Sequence, residues 1–122
     1  MKLRLQDDAL RLRLSRGDVR QLAEAGAVGA TVHVAPGAAV RYELRAADVP
    51  RLRAELDGLA LTVLVPREWV DGWPDDDRVG FEATQDAGGG HALAVAVEKD
   101  FDCLHRPADT PDAFPHPHAP TG

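Results

Sequence analysis

Residues 2–15, KLRLQDDALRLRLS, carry the pattern that decides the fold. Leu3 and Leu5, then Leu10, Leu12 and Leu14, fall on one side of a two-residue period. Lys2, Arg4, Arg11 and Arg13 fall on the other. Successive side chains of an extended chain point to opposite faces, so this alternation describes half-buried strands. Asp7-Asp8 between the two runs predicts a tight turn, and the whole predicts a β-hairpin. Ser15 then stands three residues before Asp18, the spacing of a helix-capping pair. Val19, Leu22 and Ala23 supply the apolar stripe of the helix that follows, and Gly26 ends it.

Outward from this unit the elements recur. Ala30, Val32 and Val34 are expected to face the core, with a turn at Pro36-Gly37 and a return through Val40, Tyr42 and Leu44. Leu52, Ala54 and Leu56 make the next strand, Asp57-Gly58 a turn, and Leu59, Leu61, Val63 and Val65 the return. Pro66 opens a short helix carrying Trp69 and Trp73, four residues apart and so on one face. Val79, Phe81 and Ala83, a turn at Gly88-Gly89-Gly90, and Leu93, Val95 and Val97 complete the series. The run Ala92–Val97 is apolar throughout, as expected of a strand covered on both faces.

The two halves align without a gap at an offset of 51, with Leu5 on Leu56, Leu10 on Leu61, Val19 on Val70 and Gly37 on Gly88. Inward positions fall on inward positions, and a slip of one residue would reverse every face. The expected class is α+β and mainly β: a duplicated β-β-α-β-β unit forming an antiparallel eight-stranded barrel or a two-sheet sandwich with two short helices. Residues 1–100 are read as a single domain of two pseudo-repeats, about 2–48 and 53–99. Residues 101–122, which hold five of the nine prolines, are read as an extended C-terminal strap anchored by Phe101, Leu104 and Phe114.

Several blocks bear a family likeness. The opening Lys2–Ser15 resembles the start of a group of small uncharacterised bacterial proteins, a domain of unknown function. So do the run Glu98-Lys99-Asp100-Phe101-Asp102-Cys103-Leu104, Arg106-Pro107, and the block Asp112-Ala113-Phe114-Pro115-His116-Pro117. The resemblance implies one domain with an integral tail and carries no activity with it.

Composition narrows the classes of function. The chain has 122 residues, 14 basic and 20 acidic side chains, and a net charge of -6. One cysteine excludes an internal disulfide framework. The apolar runs fall far short of the roughly 20 residues that span a bilayer, and the N-terminus lacks a signal-peptide core. A cytoplasmic protein without a membrane partner is expected. No phosphate loop, dinucleotide fingerprint, nucleophile elbow or HExxH pattern occurs.

Two constellations carry chemistry. Arg4, Arg11, Arg13, Arg41, Arg45 and Arg53 lie on the polar faces of expected strands. On adjacent strands they would form a basic patch for a small anionic ligand. Glu43 and Glu55 among them and the acidic total weigh against nucleic acid. Cys103 with His105, and His116 with His118, are i, i+2 pairs that point the same way on an extended chain. They would offer a four-ligand site for zinc or copper. Asp100 and Asp102 oppose a reactive Cys103 thiolate. Asp75-Asp76-Asp77 lacks the alternating spacing of a calcium loop. Without a paired acid and base, the expected function is a non-enzymatic accessory or interaction domain that binds a protein partner or itself. A small anionic-ligand or metal-binding protein is the alternative.

Overall fold

In the opening hairpin, β1 (Lys2–Gln6) pairs with β2 (Ala9–Leu14). The turn residues Asp7 and Asp8 both take the left-handed conformation that a two-residue hairpin loop demands. Leu5 stands opposite Leu10 and Leu3 opposite Leu12. Helix α1 (Arg16–Ala25) starts in a reciprocal cap: the Ser15 hydroxyl accepts from the Asp18 N–H at 3.1 Å, and the Asp18 carboxylate accepts from the Ser15 N–H at 3.0 Å. Gly26, at φ 86°, closes the helix by donating to the Leu22 carbonyl. Then come β3 (Ala27–Ala35), β4 (Ala38–Ala47), β5 (Arg53–Asp57) and β6 (Ala60–Pro66). Helix α2 (Arg67–Val70), a 3-10 turn (Trp73–Asp75), β7 (Gly80–Gly88) and β8 (His91–Lys99) complete the series. This computed structural model describes residues 1–101.

The strands form two four-stranded sheets, β1-β2-β8-β7 and β3-β4-β6-β5. The architecture is therefore a two-sheet sandwich and not a closed barrel. The expectation of a wholly antiparallel fold is also corrected. Hairpin partners are antiparallel, but the central pairs β2·β8 and β4·β6 are parallel. The reason is topological: α1, residues 48–52 and the α2 segment each start the next hairpin from the same end of the sandwich, and at each sheet centre the second strands of two hairpins meet. The two hairpins that meet in a sheet therefore arrive with the same polarity. All four hairpin turns lie at one end and both helical segments at the other.

Registers in the two sheets correspond. The pair Leu5↔Leu10 recurs as Leu56↔Leu61, an offset of 51. The later hairpins close at Ala35↔Ala38 and at Gly88↔His91, an offset of 53, and both carry a register shift two residues before. The central pairing Leu10↔Val95 has its counterpart in Leu61↔Tyr42. Between equivalent positions of the registers, the path from Leu61 to Ala83 is thus two residues longer than that from Leu10 to Ala30. An even difference preserves the faces and moves the register.

Leu10, Leu12, Leu14, Leu44, Val63, Val65, Val95 and Val97 fill the space between the sheets. Val19 and Leu22 of α1 close the helical end together with Val70 and Trp73. Trp69 and Trp73 do not share one helix: Gly72, at φ 78°, separates α2 from the 3-10 turn. Both rings nevertheless meet Phe81, with centroids 5.4 and 4.8 Å away. Trp73 is wholly buried, and its indole donates to the Arg78 carbonyl at 2.8 Å. Gly80 is fixed by close approach, since a Cβ there would stand 2.1 Å from the Val97 carbonyl oxygen. Val95–Val97 is buried on both faces, as the apolar run implies, while Ala92 and Ala94 remain exposed.

Candidate interaction surface

The six arginines do not form one patch. Arg4 and Arg11/Arg13 lie on β1 and β2, on the outer face of one sheet. Arg41/Arg45 and Arg53 lie on β4 and β5, on the outer face of the other. On the first face, Glu98 accepts from Arg11 at 2.7 Å and lies 3.3 Å from Arg13. On the second, Arg45 pairs with Glu43 at 2.7 Å and Arg53 pairs with Glu55. Most of this charge is therefore compensated by carboxylates on the same faces. Between Arg4, Arg11, Arg13 and Glu82 runs an open groove of about 680 Å³, floored by Ala9, Ala94 and Ala96.

At the helical end, Asp76 is tied to cations. Arg78 donates to it at 2.7 Å, and this guanidinium holds the Asp76 carboxyl below the usual carboxylate range against some desolvation. Arg78 also donates to the carbonyls of Trp69 and Asp71, and the buried Lys99 donates to the Asp76 carbonyl at 2.7 Å. Within the Asp75–Asp77 run it is Asp76 that braces the tryptophan loop, through Arg78 and Lys99. Burial acts to raise the pKa of Asp18. The N-terminal ammonium 2.7 Å away and the Ser15 amide and hydroxyl outweigh it, so the carboxyl titrates below its ordinary value. Among the described residues no three His, Cys, Asp or Glu side chains group as metal ligands. Cys103, His105, His116 and His118 lie outside the described residues, as do Leu104 and Phe114. No helix among the described residues is long and apolar enough to cross a membrane.

The hairpin end is different in character. Val32 and Val34 have inward parity on β3, yet Val34 is 66% exposed and Val32 nearly half. Leu56 on β5 is 72% exposed, and Leu5 and Leu59 are exposed as well. These positions alternate like core positions but extend beyond the depth that the facing sheet covers. This corrects the expectation that Val32, Val34, Leu5 and Leu56 are core residues.

The two open sides of the sandwich are also unequal. Along one side, the Gln85 amide of β7 accepts from the Ala54 N–H at 2.7 Å and donates to the Ala54 carbonyl at 2.9 Å, joining the edges of β7 and β5. By register, the place of Gln85 is taken on the other side by Val32 of β3, opposite β1, and no such amide stands there. Sequence reasoning passed over Gln85. Its signal was a polar residue at inward parity after Phe81 and Ala83.

No curated protein and no solved structure matches this chain. A family match spans residues 1–118, which takes in both sheets, both helical segments and most of the segment beyond Phe101. The expected kinship with a family of unknown function is thereby shown, and the chain belongs to the family of unknown function DUF7009.

Proposed function

We propose that the chain is a non-enzymatic interaction domain, which binds a protein partner or a further copy of itself through the hairpin end of the sandwich. The observation that carries this reading is the set of apolar side chains left uncovered there: Leu5, Val32, Val34 and Leu56 on the strands and Leu59 in the turn. Elsewhere the outer faces are lined by paired charges, which water solvates at no loss. An uncovered apolar set of this kind marks a contact surface. The test is crosslinking in cells with the wild-type chain and with a Val34→Lys/Leu56→Lys variant. Both positions are largely exposed, so the fold tolerates lysine. Crosslinks that the double variant abolishes are the expected result; an unchanged crosslinking pattern would refute the reading.

A second reading rests on the groove between Arg4, Arg11 and Arg13, whose alanine floor leaves room for a small anion beside guanidinium groups. Calorimetric titration with inorganic phosphate and pyrophosphate checks it, with Arg13→Ala as the control. Heats identical in the two proteins would remove it.

We also infer that the chain is a duplicated β-β-α-β-β unit whose halves exchange hairpins. Supporting this are the equal strand orders, read as β1-β2-β8-β7 and β5-β6-β4-β3, and the matched register shifts in the two later hairpins. Exchange of Val32 for the glutamine of its counterpart tests it, because only equivalent positions would let the new amide join β3 to β1.

A further inference from the structure

We propose that β3 is a docking edge for β3 of a second copy of this chain, so that the sheet β5-β6-β4-β3 continues across a twofold axis. This rests on the interaction-domain reading and names its partner and its strand. Native edge strands are commonly guarded by charge. Here β1 carries Lys2 and Arg4, β5 carries Arg53, Glu55 and Asp57, and β7 carries Glu82 and Asp86. β3 carries no formal charge. It lies inside the longest uncharged stretch of the chain, which runs from after Glu24 to before Arg41.

The backbone of β3 is set for pairing. The Ala46 N–H donates to the Gly26 carbonyl and the Arg41 N–H to the Leu59 carbonyl, both at 2.9 Å. In an antiparallel ladder this parity turns the even-numbered residues of β3 toward β4. The N–H and C=O groups of Gly29, Thr31 and His33 therefore point away from the sheet. Among the described residues nothing pairs with them. The register shift between His33 and Ala35 ends the usable edge. On the other side of the sandwich, Gln85 of β7 ties its strand to Ala54 of β5, and no such amide ties β3 to β1.

A second copy fits this edge for two reasons. Two chains of charge -6 repel, and the uncharged strip is where they can meet without setting like charges together. A partner attracted by charge would instead be met by a charged strip. The strand is also self-complementary. With Val32 on the axis, Thr31 of each copy exchanges hydrogen bonds with His33 of the other. Val32 packs on Val32, and the exposed Val34 covers the other copy's Ala30. Residues 102–122 fit less well as an added strand, since their five prolines remove donors along that segment.

The test is sedimentation equilibrium of the full chain from low to high micromolar concentration. The wild type is expected to dimerise in that range. Val34→Lys should weaken the dimer by about tenfold or more, the factor that corresponds to about 1.4 kcal/mol, with a thermal midpoint equal to that of the wild type at dilutions where both are monomeric. Thr31→Pro should do the same, because the Thr31 N–H serves no bond to β4. Leu56→Lys, on the opposite edge, should leave the dimer intact. A wild type that stays monomeric at high micromolar concentration would overturn the proposal. It would leave the interaction-domain reading standing wherever crosslinking in cells finds a different partner at the hairpin end. A dimer that survives Val34→Lys would overturn it too, since the copies would then meet elsewhere.

Discussion

Replacing Gln85 by alanine removes two hydrogen bonds at once, the 2.7 Å bond from the Ala54 N–H and the 2.9 Å bond to its carbonyl. Each such bond contributes about 0.5–1.5 kcal/mol net. Gln85 and Ala54 are half-buried, so water recovers part of the loss in the variant. The expected cost is about 1–2 kcal/mol, the lower half of the combined range. For a domain of about 100 residues, each kcal/mol lowers the melting temperature by about 4–8 °C. Calorimetry should therefore show a clear drop, and urea titration a lower midpoint at an unchanged slope. A local readout separates the edge bond from general damage. The Ala54 N–H points out of its ladder, so its protection from hydrogen exchange depends on Gln85 alone. That amide should exchange freely in Gln85→Ala while Glu55 and the β6 amides stay protected. The reciprocal change, Val32→Gln, should stabilise the protein by about 1 kcal/mol by reaching the main chain of Leu3, the counterpart of Ala54. A melting temperature unmoved by Gln85→Ala, with Ala54 still protected, would refute the account of the sealed edge. A destabilising Val32→Gln would refute the equivalence of the two sides.

Gly80→Ala is expected to cost about 1–3 kcal/mol or more, because its Cβ meets the rigid Val97 carbonyl and not a movable side chain; urea denaturation measures it. Asp18→Asn should lower stability at neutral pH and flatten the acid limb of the stability profile. The folded-state pKa of Asp18 lies below 3.8, so its contribution is full above that value and fades as pH falls through the folded pKa. The wild-type advantage over Asp18→Asn should accordingly be present at neutral pH and shrink in strong acid, as followed by thermal melts across the acid range.

Much of the fold was legible because its signals are local. The alternation of residues 2–14 reports strands, Asp7-Asp8 a turn, and Ser15 with Asp18 a capped helix, since each depends only on neighbours in sequence. Alternation reports which face a side chain takes. It does not report which strand lies beside it, and so the apolar run of β8 marked a covered strand without naming β2 as its parallel neighbour. Nor does it report how deep the facing sheet reaches, which is why Val32 and Val34 read as core. The true register between the two sheets was hidden for a related reason: it moves by 53 residues in the later hairpins where the opening ones move by 51, and an even difference leaves every face correct while setting Tyr42 at the level of Val95 and not of Leu93. The candidate surface was the least legible part. The six arginines share a face type but not a sheet, and the uncharged edge emerges only once β3 is known to lie at the margin.

The order of strands along the chain has a consequence for synthesis. The sheet β3-β4-β6-β5 is built from one contiguous segment, residues 27–66, and can assemble as soon as that segment has left the ribosome. The other sheet joins the two extremes, Leu10 against Val95, and must wait for the last strand. Until then the opening hairpin has no neighbour, and its leucines stay wet. Closing so long a loop is entropically slow, so the rate of folding should be governed by the docking of β8 and not by the helices. A nascent chain stalled before residue 95 would expose half of its future core, the condition in which chaperones are recruited and aggregation begins.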